Sequence, residues 1–370
     1  MGYYLALMCI YGIFAIIETN GDFSPRSRKI LCFVLLFPLW AMTAFRAGTV
    51  GNDTVNYIRA FNYMGRYLNL GEAIQRSRME AGYVALSYLF AKRGASYLFF
   101  QAATNAFVYW SLWRFIAKYS SNIGFSCFIF LAMRMFAGPM NTIRMWLAIA
   151  VLLFSVPYLL KKKLIPFVIF NGIASLFHSS AFAFVLLYPI CNIEFIKKNK
   201  WLIILAAIVI GLLGITFFEW LTGIIGKYEG YLDSQYFVDF NKTAIYLSLA
   251  IDLCFGLLFY LTRPRKYIPK RDMAAEKTGE YNITEIFSLV MIIILAFDIV
   301  GLTNTIMSRV SGYFGVFYML MIPFRLKKLQ PKNSRMAISG VILLLLALQW
   351  IVVMVYRPGW NGVTPFVWAF

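Results

Sequence analysis

The stretch NTIRMWLAIAVLLFSVPYLLKKK, residues 141–163, sets a long apolar run between an arginine and three lysines. The run from Met145 to Leu160 holds no charged residue. A helix needs about 20 predominantly apolar residues to cross the hydrocarbon core of a bilayer. The stretch therefore predicts a transmembrane helix with Arg144 at one end and Lys161–Lys163 at the other.

The same pattern recurs along the whole chain. Apolar residues make up 61% of the 370 residues and charged residues 14%, whereas a soluble domain carries about 25% charged residues. The apolar runs fall at about 3–19, 29–45, 80–91, 96–116, 122–137, 142–160, 164–190, 201–220, 243–262, 285–306, 309–325 and 336–356. We predict an all-α, polytopic membrane helical bundle with about 10–12 membrane segments. Residues 1–370 would form a single integral membrane domain.

The basic residues between the runs predict the orientation, because cytoplasmic loops are enriched in lysine and arginine. The clusters that we place in the cytoplasm are Arg26–Lys29, Lys161–Lys163, Lys197–Lys200, Arg263–Lys277 and Arg325–Arg335. Both termini then lie outside, 46–79 and 221–242 are extracytoplasmic loops, and 263–284 is a cytoplasmic loop. The formal charge of +19 falls between spans, next to anionic membrane lipids, so we expect no nucleic-acid partner.

Two segments leave the number of spans open. The run at 80–91 is short for a span, and the run at 164–190 would form a helix of about 40 Å at 1.5 Å per residue. We expect 80–91 to be re-entrant and 164–190 to be a hairpin bent near Phe177–Ser180. In the alternative, both segments span once and the part between them is inverted, which would place Lys161–Lys163 outside.

In the first topology the outer face carries mainly arginine and the inner loops mainly lysine. The outer arginines are Arg46, Arg59, Arg66, Arg76, Arg78, Arg93, Arg134, Arg144, Arg309 and Arg357. A planar guanidinium binds two phosphate oxygens at once, which an ammonium group does not do. An arginine-rich outer face is what an enzyme acting on a diphosphate-linked lipid would need.

The loop after the second run reads FRAGTVGNDTVNY, residues 45–57. Its two glycines permit tight turns, and Arg46 and Asp53 lie at the membrane boundary. A polar loop with a helix N-cap at Asp53 or Thr54 explains the same residues without a function.

The run at 80–91 begins within the sequence MEAGY, residues 79–83. The carboxylate of Glu80 could act as a base or hold a sugar hydroxyl. An interfacial Glu80 that pairs with Arg76 or Arg78 explains the acid equally well.

Asn141 and Arg144 stand three residues apart at the start of the span quoted first. On a helix they would share one face, which suits a common anionic ligand. An arginine at a span end also extends to the interface without any ligand, and the sequence does not separate the two interpretations.

His178 lies in LFHSS, residues 176–180, and is the single histidine of the chain. An ionisable residue inside a membrane run is costly and is a functional candidate for that reason. The imidazole pKa range suits proton transfer near neutrality, although a lone histidine is also often a satisfied polar residue. With one histidine and no cysteine cluster, we expect neither a metal site nor another cofactor.

The segment SRVSGYF, residues 308–314, opens a later run. Arg309 and Tyr313 are four residues apart, so both could face one cavity; an arginine–aromatic anchor at the interface is the alternative. Asp252 and Asp298 lie within apolar runs, as buried network residues or as part of a transport path. The sequence has no nucleotide-binding loop, so we expect a substrate that is already activated.

Five short motifs together resemble the EpsG family, relatives of Wzy-type polysaccharide polymerases. They are R-x-G-x-x-G-x-D-x-x-x-Y (Arg46 to Tyr57), E-x-G-Y (Glu80 to Tyr83), N-x-I-R-x-x-L-A (Asn141 to Ala148), F-H-S-S-A (Phe177 to Ala181) and R-x-S-G-Y-F (Arg309 to Phe314). The resemblance covers roughly residues 46–320 and implies a GT-C-like fold in the bacterial inner membrane. It also implies polymerisation of undecaprenyl-diphosphate-linked oligosaccharides for an O-antigen or exopolysaccharide, with the active site facing the periplasm or exterior. A chain-length regulator is a further partner expected from the family.

On this hypothesis the growing glycan on lipid diphosphate is the donor, and a lipid-linked repeat unit is the acceptor. Residues expected to bind diphosphate or sugar are Arg46, Arg144, Arg309, Tyr313, Asn141 and Tyr83. Residues expected to be catalytic are His178 as general base, with Asp53 or Glu80 in reserve. Fixed guanidinium groups would stabilise the charge that accumulates on the leaving diphosphate.

Two other functions remain open from the sequence. A flippase for the same lipid-linked sugars would explain the intramembrane acids and the basic face equally well. A ligase would move the glycan onto another lipid without lengthening it. Against transport, the sequence shows no half-to-half repeat, which transporters often carry, and its polar content concentrates on one face.

Overall fold

A computed structural model of the chain describes residues 1–21, 23–225, 242–261, 283–302, 305–329, 331–357, 359 and 361–370. The predicted loop at 221–242 lies outside the described residues from 226 to 241, and the predicted loop at 263–284 lies outside them up to residue 282. The described residues contain helices and no strand, and an isolated antiparallel bridge joins Arg46 to Trp368. The predicted all-α class is confirmed.

The helices follow one another with short connections. In chain order they are α1 Gly2–Asn20, α2 Pro25–Ala44, α3 Thr54–Met64, α4 Leu70–Arg76, α5 Ala81–Lys92, α6 Tyr97–Tyr119, α7 Ile123–Ala132, α8 Gly138–Asn141, α9 Ile143–Leu160, α10 Leu164–Ser175, α11 Leu187–Asn192, α12 Glu194–Lys198, α13 Trp201–Ile225, α14 Lys242–Leu261, α15 Ile283–Gly301, α16 Thr305–Gly315, α17 Tyr318–Lys327 and α18 Lys332–Tyr356. Two 3-10 helices cover Met135–Ala137 and Ser179–Leu186.

The lengths of these helices fit a membrane protein. Of the described helices, α1, α2, α9 and α18 are long and apolar enough to cross a bilayer. Helix α7 and the segment Met135–Asn141, bent by 65°, add a fifth crossing if the pair is one broken span. Shorter apolar helices lie in the remaining runs, as in a polytopic membrane helical protein. The total of 10–12 segments stays a prediction.

The two segments that left the span count open are both interrupted or short. Helix α5 has 12 residues and is therefore about 18 Å long, against a hydrocarbon core of about 30 Å. Helix α10 ends at Ser175, and the next helical turn begins at Ser179. The helix is thus interrupted at the predicted place near Phe177–Ser180, and the hairpin stays a prediction. Leu176 follows the end of α10, and its carbonyl accepts a hydrogen bond from the Gly82 amide of α5 at 2.8 Å. The interrupted backbone is thus satisfied by another segment of the chain.

The chain forms two compact units. The first comprises Met1–Val156, Val168–Phe182 and Tyr318–Phe370, and the second comprises Pro157–Phe167 and Ala183–Phe317. A single integral membrane domain over residues 1–370 stays a prediction.

Helix packing gives the first unit two distinct ends. Helix α1 packs against α7 and α18, and α2 packs against α6. Near its start, α1 donates a hydrogen bond from the Tyr4 hydroxyl to the carbonyl of Val363 in the C-terminal tail. Near its end, Glu18 pairs with Arg28 at the start of α2, with 3.2 Å between oxygen and nitrogen. Helix α2 then returns to Arg46, beside the same C-terminal tail.

In the second unit, α15 packs against α13, α14 and α16. Asp298 on α15 is 2% exposed and shares side-chain hydrogen bonds with Asp252 of α14 and Ser311 of α16. The two acids thus share a buried polar network, and a transport role for them stays open.

Candidate active site

The first unit gathers four of the five motifs around one buried carboxylate. Glu80 accepts a hydrogen bond from Arg144 Nη1 at 2.5 Å, and its other oxygen lies 3.2 Å from His178 Nδ1. That second oxygen also accepts from the amide of Ser179 at 3.3 Å and from its hydroxyl at 3.2 Å. Arg144 Nε donates to the hydroxyl of Tyr57 at 3.4 Å. These five residues are called the Glu80 cluster below.

Burial within the Glu80 cluster is graded. The side chain of Glu80 is 7% exposed, whereas that of Arg144 is 24% exposed and that of His178 is 28% exposed. The carboxylate is therefore the buried part of the cluster, and the guanidinium and the imidazole are its solvent-accessible part. A ligand approaching the cluster would meet Arg144 and His178 before Glu80.

The surroundings of Glu80 decide its protonation. Burial by itself would raise the pKa of this carboxyl, but the hydrogen bond with His178 and the charge of Arg144 outweigh burial and hold the pKa well below its ordinary value of 4.5. Glu80 is therefore ionised at neutral pH and acts as an acceptor only. It follows that His178 Nδ1 carries the proton shared with Glu80, and that a neutral imidazole has its basic nitrogen at Nε2.

Gly82 explains why an acid and a glycine stand two residues apart in the E-x-G-Y motif. Glu80 is the N-cap residue of α5, and Gly82 lies in the first turn against the break that carries His178. A Cβ at Gly82 would lie 2.7 Å from the carbonyl oxygen of Leu176 and 2.9 Å from its Cβ. The absent side chain thus lets the break approach closely enough for His178 to reach Glu80.

Tyr83 packs against Tyr57 of the Glu80 cluster. The Tyr83 ring is 1% exposed and lies edge-on to Tyr57 and Phe100, with centroid distances of 5.7 Å and 6.0 Å. Burial raises the pKa of Tyr57 although the charge of Arg144 opposes the shift, so its hydroxyl keeps its proton. In this setting Tyr83 packs against the cluster, and its predicted contact with substrate stays a prediction.

Arg46 lies in the same unit, but its guanidinium donates hydrogen bonds to backbone carbonyls. It is 2% exposed and donates hydrogen bonds to the carbonyls of Thr43 at 2.5 Å, Met140 at 3.0 Å and Val50 at 3.3 Å. Burial lowers the pKa of Arg46 to about 10, so it remains charged at neutral pH. These bonds join the end of α2 and the loop that follows it to α8, and a contact of Arg46 with diphosphate stays a prediction.

Asn141 fastens three segments together. Its Oδ1 accepts from the amide of Asn52 at 2.6 Å, and its Nδ2 donates to the carbonyls of Ala137 at 2.9 Å and Asn361 at 2.8 Å. The prediction that Asn141 and Arg144 share one helical face is wrong. Helix α8 ends at Asn141 and α9 begins at Ile143, and Thr142 between them has a non-helical backbone with φ −111° and ψ 56°. A role of Asn141 in substrate binding stays a prediction.

The other predicted residues stand apart from the Glu80 cluster's hydrogen bonds. Asp53 is the N-cap residue of α3 and is half-buried, but its side chain makes no capping hydrogen bond. Arg309 and Tyr313 lie in the second unit, where Arg309 is exposed and Tyr313 is 1% exposed. The alternative pairing of Glu80 with Arg76 or Arg78 is wrong, because Glu80 pairs with Arg144 and His178. Arg76 pairs with Glu72 one helical turn away.

Sequence reasoning missed two contributors to this region. Ser179 supplies two of the hydrogen bonds to Glu80, and its position next to the single histidine was the available signal. The C-terminal tail had no recognisable motif, yet Gly362 accepts a hydrogen bond from the Gly51 amide at 2.8 Å. Gly51 has a φ of +95°, and a Cβ there would lie 2.5 Å from the carbonyl of Met140.

Within the described part of the chain, no group of three or more His, Cys, Asp or Glu side chains is placed to hold a metal ion. The Glu80 cluster instead combines the guanidinium of Arg144 with the imidazole of His178 on one carboxylate.

Comparison with known proteins agrees with this arrangement of motifs. No curated protein matches the chain, and no solved structure matches it. The sequence model of one family matches residues 29–368, which include all five motifs. That family is described as the EpsG family, and the chain belongs to it.

Proposed function

We propose that this member of the EpsG family is a membrane glycosyltransferase that polymerises undecaprenyl-diphosphate-linked repeat units. In this proposal it has a GT-C-like architecture and works at the outer face of the bacterial inner membrane. The observation that carries the proposal is the Glu80 cluster, in which one buried carboxylate fixes a guanidinium and an imidazole side by side. A phosphate-binding group next to a base is what transfer from a lipid diphosphate requires.

The reaction would be a displacement at the anomeric carbon of the donor glycan. A hydroxyl oxygen of the acceptor repeat forms the new bond to that carbon. The bond from the carbon to the diphosphate breaks, and undecaprenyl diphosphate leaves with the electron pair. The hydroxyl proton passes to His178 Nε2, which later returns it to water.

Arg144 is our candidate for stabilising the leaving diphosphate. A guanidinium has five N–H donors, and Arg144 uses one on Nε for Tyr57 and one on Nη1 for Glu80. These bonds hold its plane in place before the substrate arrives, so no reorganisation is needed as charge develops. The partly exposed remainder of the side chain is the part that would meet phosphate oxygens.

His178 is our candidate for the general base, and Glu80 for the residue that orients it. Glu80 itself is a poor base, because its pKa is lowered and its oxygens already accept four hydrogen bonds. Asp53 remains the reserve candidate for the base. Arg309 and Tyr313 are proposed to contact diphosphate, and a chain-length regulator is a proposed partner.

One observation favours transport as a second candidate function. The hydrogen-bonded acids Asp252 and Asp298 lie within apolar helices of the second unit, and buried acids in membrane segments often belong to ion or proton pathways. A flippase for lipid-linked sugars would use such a pathway.

The purified chain in liposomes with lipid-linked repeat units tests these candidates. A ladder of longer glycans supports a polymerase, translocation without elongation supports a flippase, and a changed carrier without elongation supports a ligase. Arg144→Lys keeps the charge but loses the planar fork, so we expect a shorter ladder. Arg66→Lys is the matched control, since Arg66 is an exposed arginine of the 46–79 loop. An unchanged ladder with Arg144→Lys would remove Arg144 from the mechanism.

A further inference from the structure

A polar cavity lies at the other end of the first unit from the Glu80 cluster. It holds about 490 Å³ of empty space, including the solvent at its mouth. Helix ends surround it: the end of α1, the start of α7, the end of α17 and the start of α18. The residues that matter to its chemistry are Glu18, Ser121, Lys327, Lys332 and Arg335.

Helix α18 fixes the separation between the two sites. Lys332 and Arg335 in its first turn line the cavity. The helix has 25 residues and is therefore about 37 Å long. The tail that follows it bonds to the loop around Gly51. That loop belongs to the motif that ends at Tyr57 of the Glu80 cluster. A ligand in the cavity is therefore a different molecule, or a different part of a lipid, from one held by Arg144.

The charges of the cavity favour an anion. Lys327, Lys332 and Arg335 contribute three cations against the single carboxylate of Glu18. Glu18 already accepts from Arg28 Nη1 at 3.2 Å and from the Gly124 amide at 2.7 Å. The positive charge of the lining thus exceeds what its own carboxylate balances.

Arg335 is the residue that marks the cavity as more than a solvated basic surface. It is 9% exposed, and its Nε donates to the carbonyl of Leu329 at 3.1 Å. Among the residues that the structure describes, no carboxylate forms an ion pair with it. A buried guanidinium without a counter-ion is costly unless a ligand or water compensates it. Also within the described residues, the buried Ser121 hydroxyl of the lining lacks a hydrogen-bond partner.

We propose that this cavity binds a phosphate group, with Arg335, Lys332 and Lys327 as its cationic contacts and Ser121 as a hydroxyl donor. Guanidinium, ammonium and hydroxyl donors that converge on one cavity match the acceptors of a phosphate. Phe125, Pro323 and Leu326 line the same cavity, and these apolar side chains would accommodate the glycerol and first acyl carbons of an anionic phospholipid. In the predicted topology this end faces the cytoplasm, where anionic lipids are abundant.

Native mass spectrometry of the full chain in detergent tests the proposal. Phosphatidylglycerol and phosphatidylcholine are titrated separately, and inorganic phosphate is titrated as the free anion. We expect phosphatidylglycerol to bind more tightly than phosphatidylcholine. Losing two charge-assisted contacts in Lys332→Gln with Arg335→Gln should weaken that binding about tenfold or more. Lys332→Gln alone, at an exposed residue, should give a smaller loss without endangering the fold.

Lys118→Gln is the matched control, because Lys118 lies in the last turn of α6 and outside the cavity lining. Retained binding in the control with loss in the cavity variants supports the site with a lipid headgroup. Binding of inorganic phosphate that the same variants weaken, without a lipid preference, supports the site with free phosphate as its source. Equal losses in the control and cavity variants, or no loss in either, would overturn the proposal.

Discussion

Replacing Glu80 by glutamine tests whether one carboxylate holds the Glu80 cluster together. Glutamine keeps the size of the side chain and one acceptor oxygen, but it removes the charge. Arg144, His178 and Ser179 would then surround a neutral amide whose nitrogen cannot accept a hydrogen bond.

The magnitude follows from the burial of the partners. Removing one partner of a fully buried ion pair destabilises a protein by about 3–5 kcal/mol. Here the side chains of Arg144 and His178 are 24% and 28% exposed, so water compensates part of the loss. We expect Glu80→Gln to lower the free energy of unfolding by about 2–3 kcal/mol.

Chemical unfolding of the purified protein in detergent measures this difference, and Glu72→Gln is the matched control. Glu72 pairs with Arg76 on the surface of α4, where the arginine side chain is 70% exposed. Such pairs contribute about 0–1 kcal/mol. Equal losses of stability in Glu80→Gln and Glu72→Gln would refute the central position of Glu80.

The pH dependence of the same experiment has a definite sign. Because folding lowers the pKa of Glu80, its ionised form stabilises the protein fully above its ordinary pKa of 4.5. That contribution is lost as the pH falls below this value toward the lowered pKa. The stability difference between wild type and Glu80→Gln should therefore shrink as the pH falls below 4.5.

Three further predictions concern the residues around the Glu80 cluster. Gly82→Ala should reduce polymer formation about tenfold or more, because the added methyl group displaces Leu176 and with it His178. Gly172→Ala on α10 is the control and should leave activity unchanged, since open space surrounds Gly172. Equal activities of the two variants would refute the close approach of Gly82 to Leu176 as the reason for the glycine. Asn141→Ala should lower stability by about 1–3 kcal/mol and expose residues 361–370 to carboxypeptidase, and a tail that stays protected would contradict the link to Asn361. Arg46→Lys should lower the midpoint of thermal unfolding, since an ammonium group cannot reach three carbonyls in one plane; normal stability with lost activity would instead favour a direct contact of Arg46 with substrate.

Local features of the fold were predictable from the sequence because they depend on local physics. The apolar runs became helices, since every backbone polar group in a membrane must be satisfied within the segment. The break near Phe177–Ser180 followed from the excess length of its run. Family membership followed from the order and spacing of five motifs, each of which was short.

The partners of individual side chains were not predictable, because they depend on contacts between distant segments. Local spacing suggested Arg76 or Arg78 as the partner of Glu80, whereas the structure brings Arg144 and His178 to it from two other segments. Asn141 and Arg144 are three residues apart, yet the non-helical Thr142 places them on two different helices. The tail around Gly362 carried no motif because its contacts with Gly51 and Asn141 use backbone atoms.

A single-turnover measurement of glycan elongation is the most direct test of the Glu80 cluster as the site of chemistry. Purified protein is saturated with lipid-linked donor and acceptor, and the rate of bond formation is compared between wild type, His178→Ala and Ser175→Ala. Ser175 precedes the break on α10 and bonds its hydroxyl to the carbonyl of Asn171 within the helix, so its loss should leave the rate unchanged. Loss of a general base should slow elongation by about 100-fold or more in His178→Ala, and a wild-type rate in that variant would contradict the proposed mechanism.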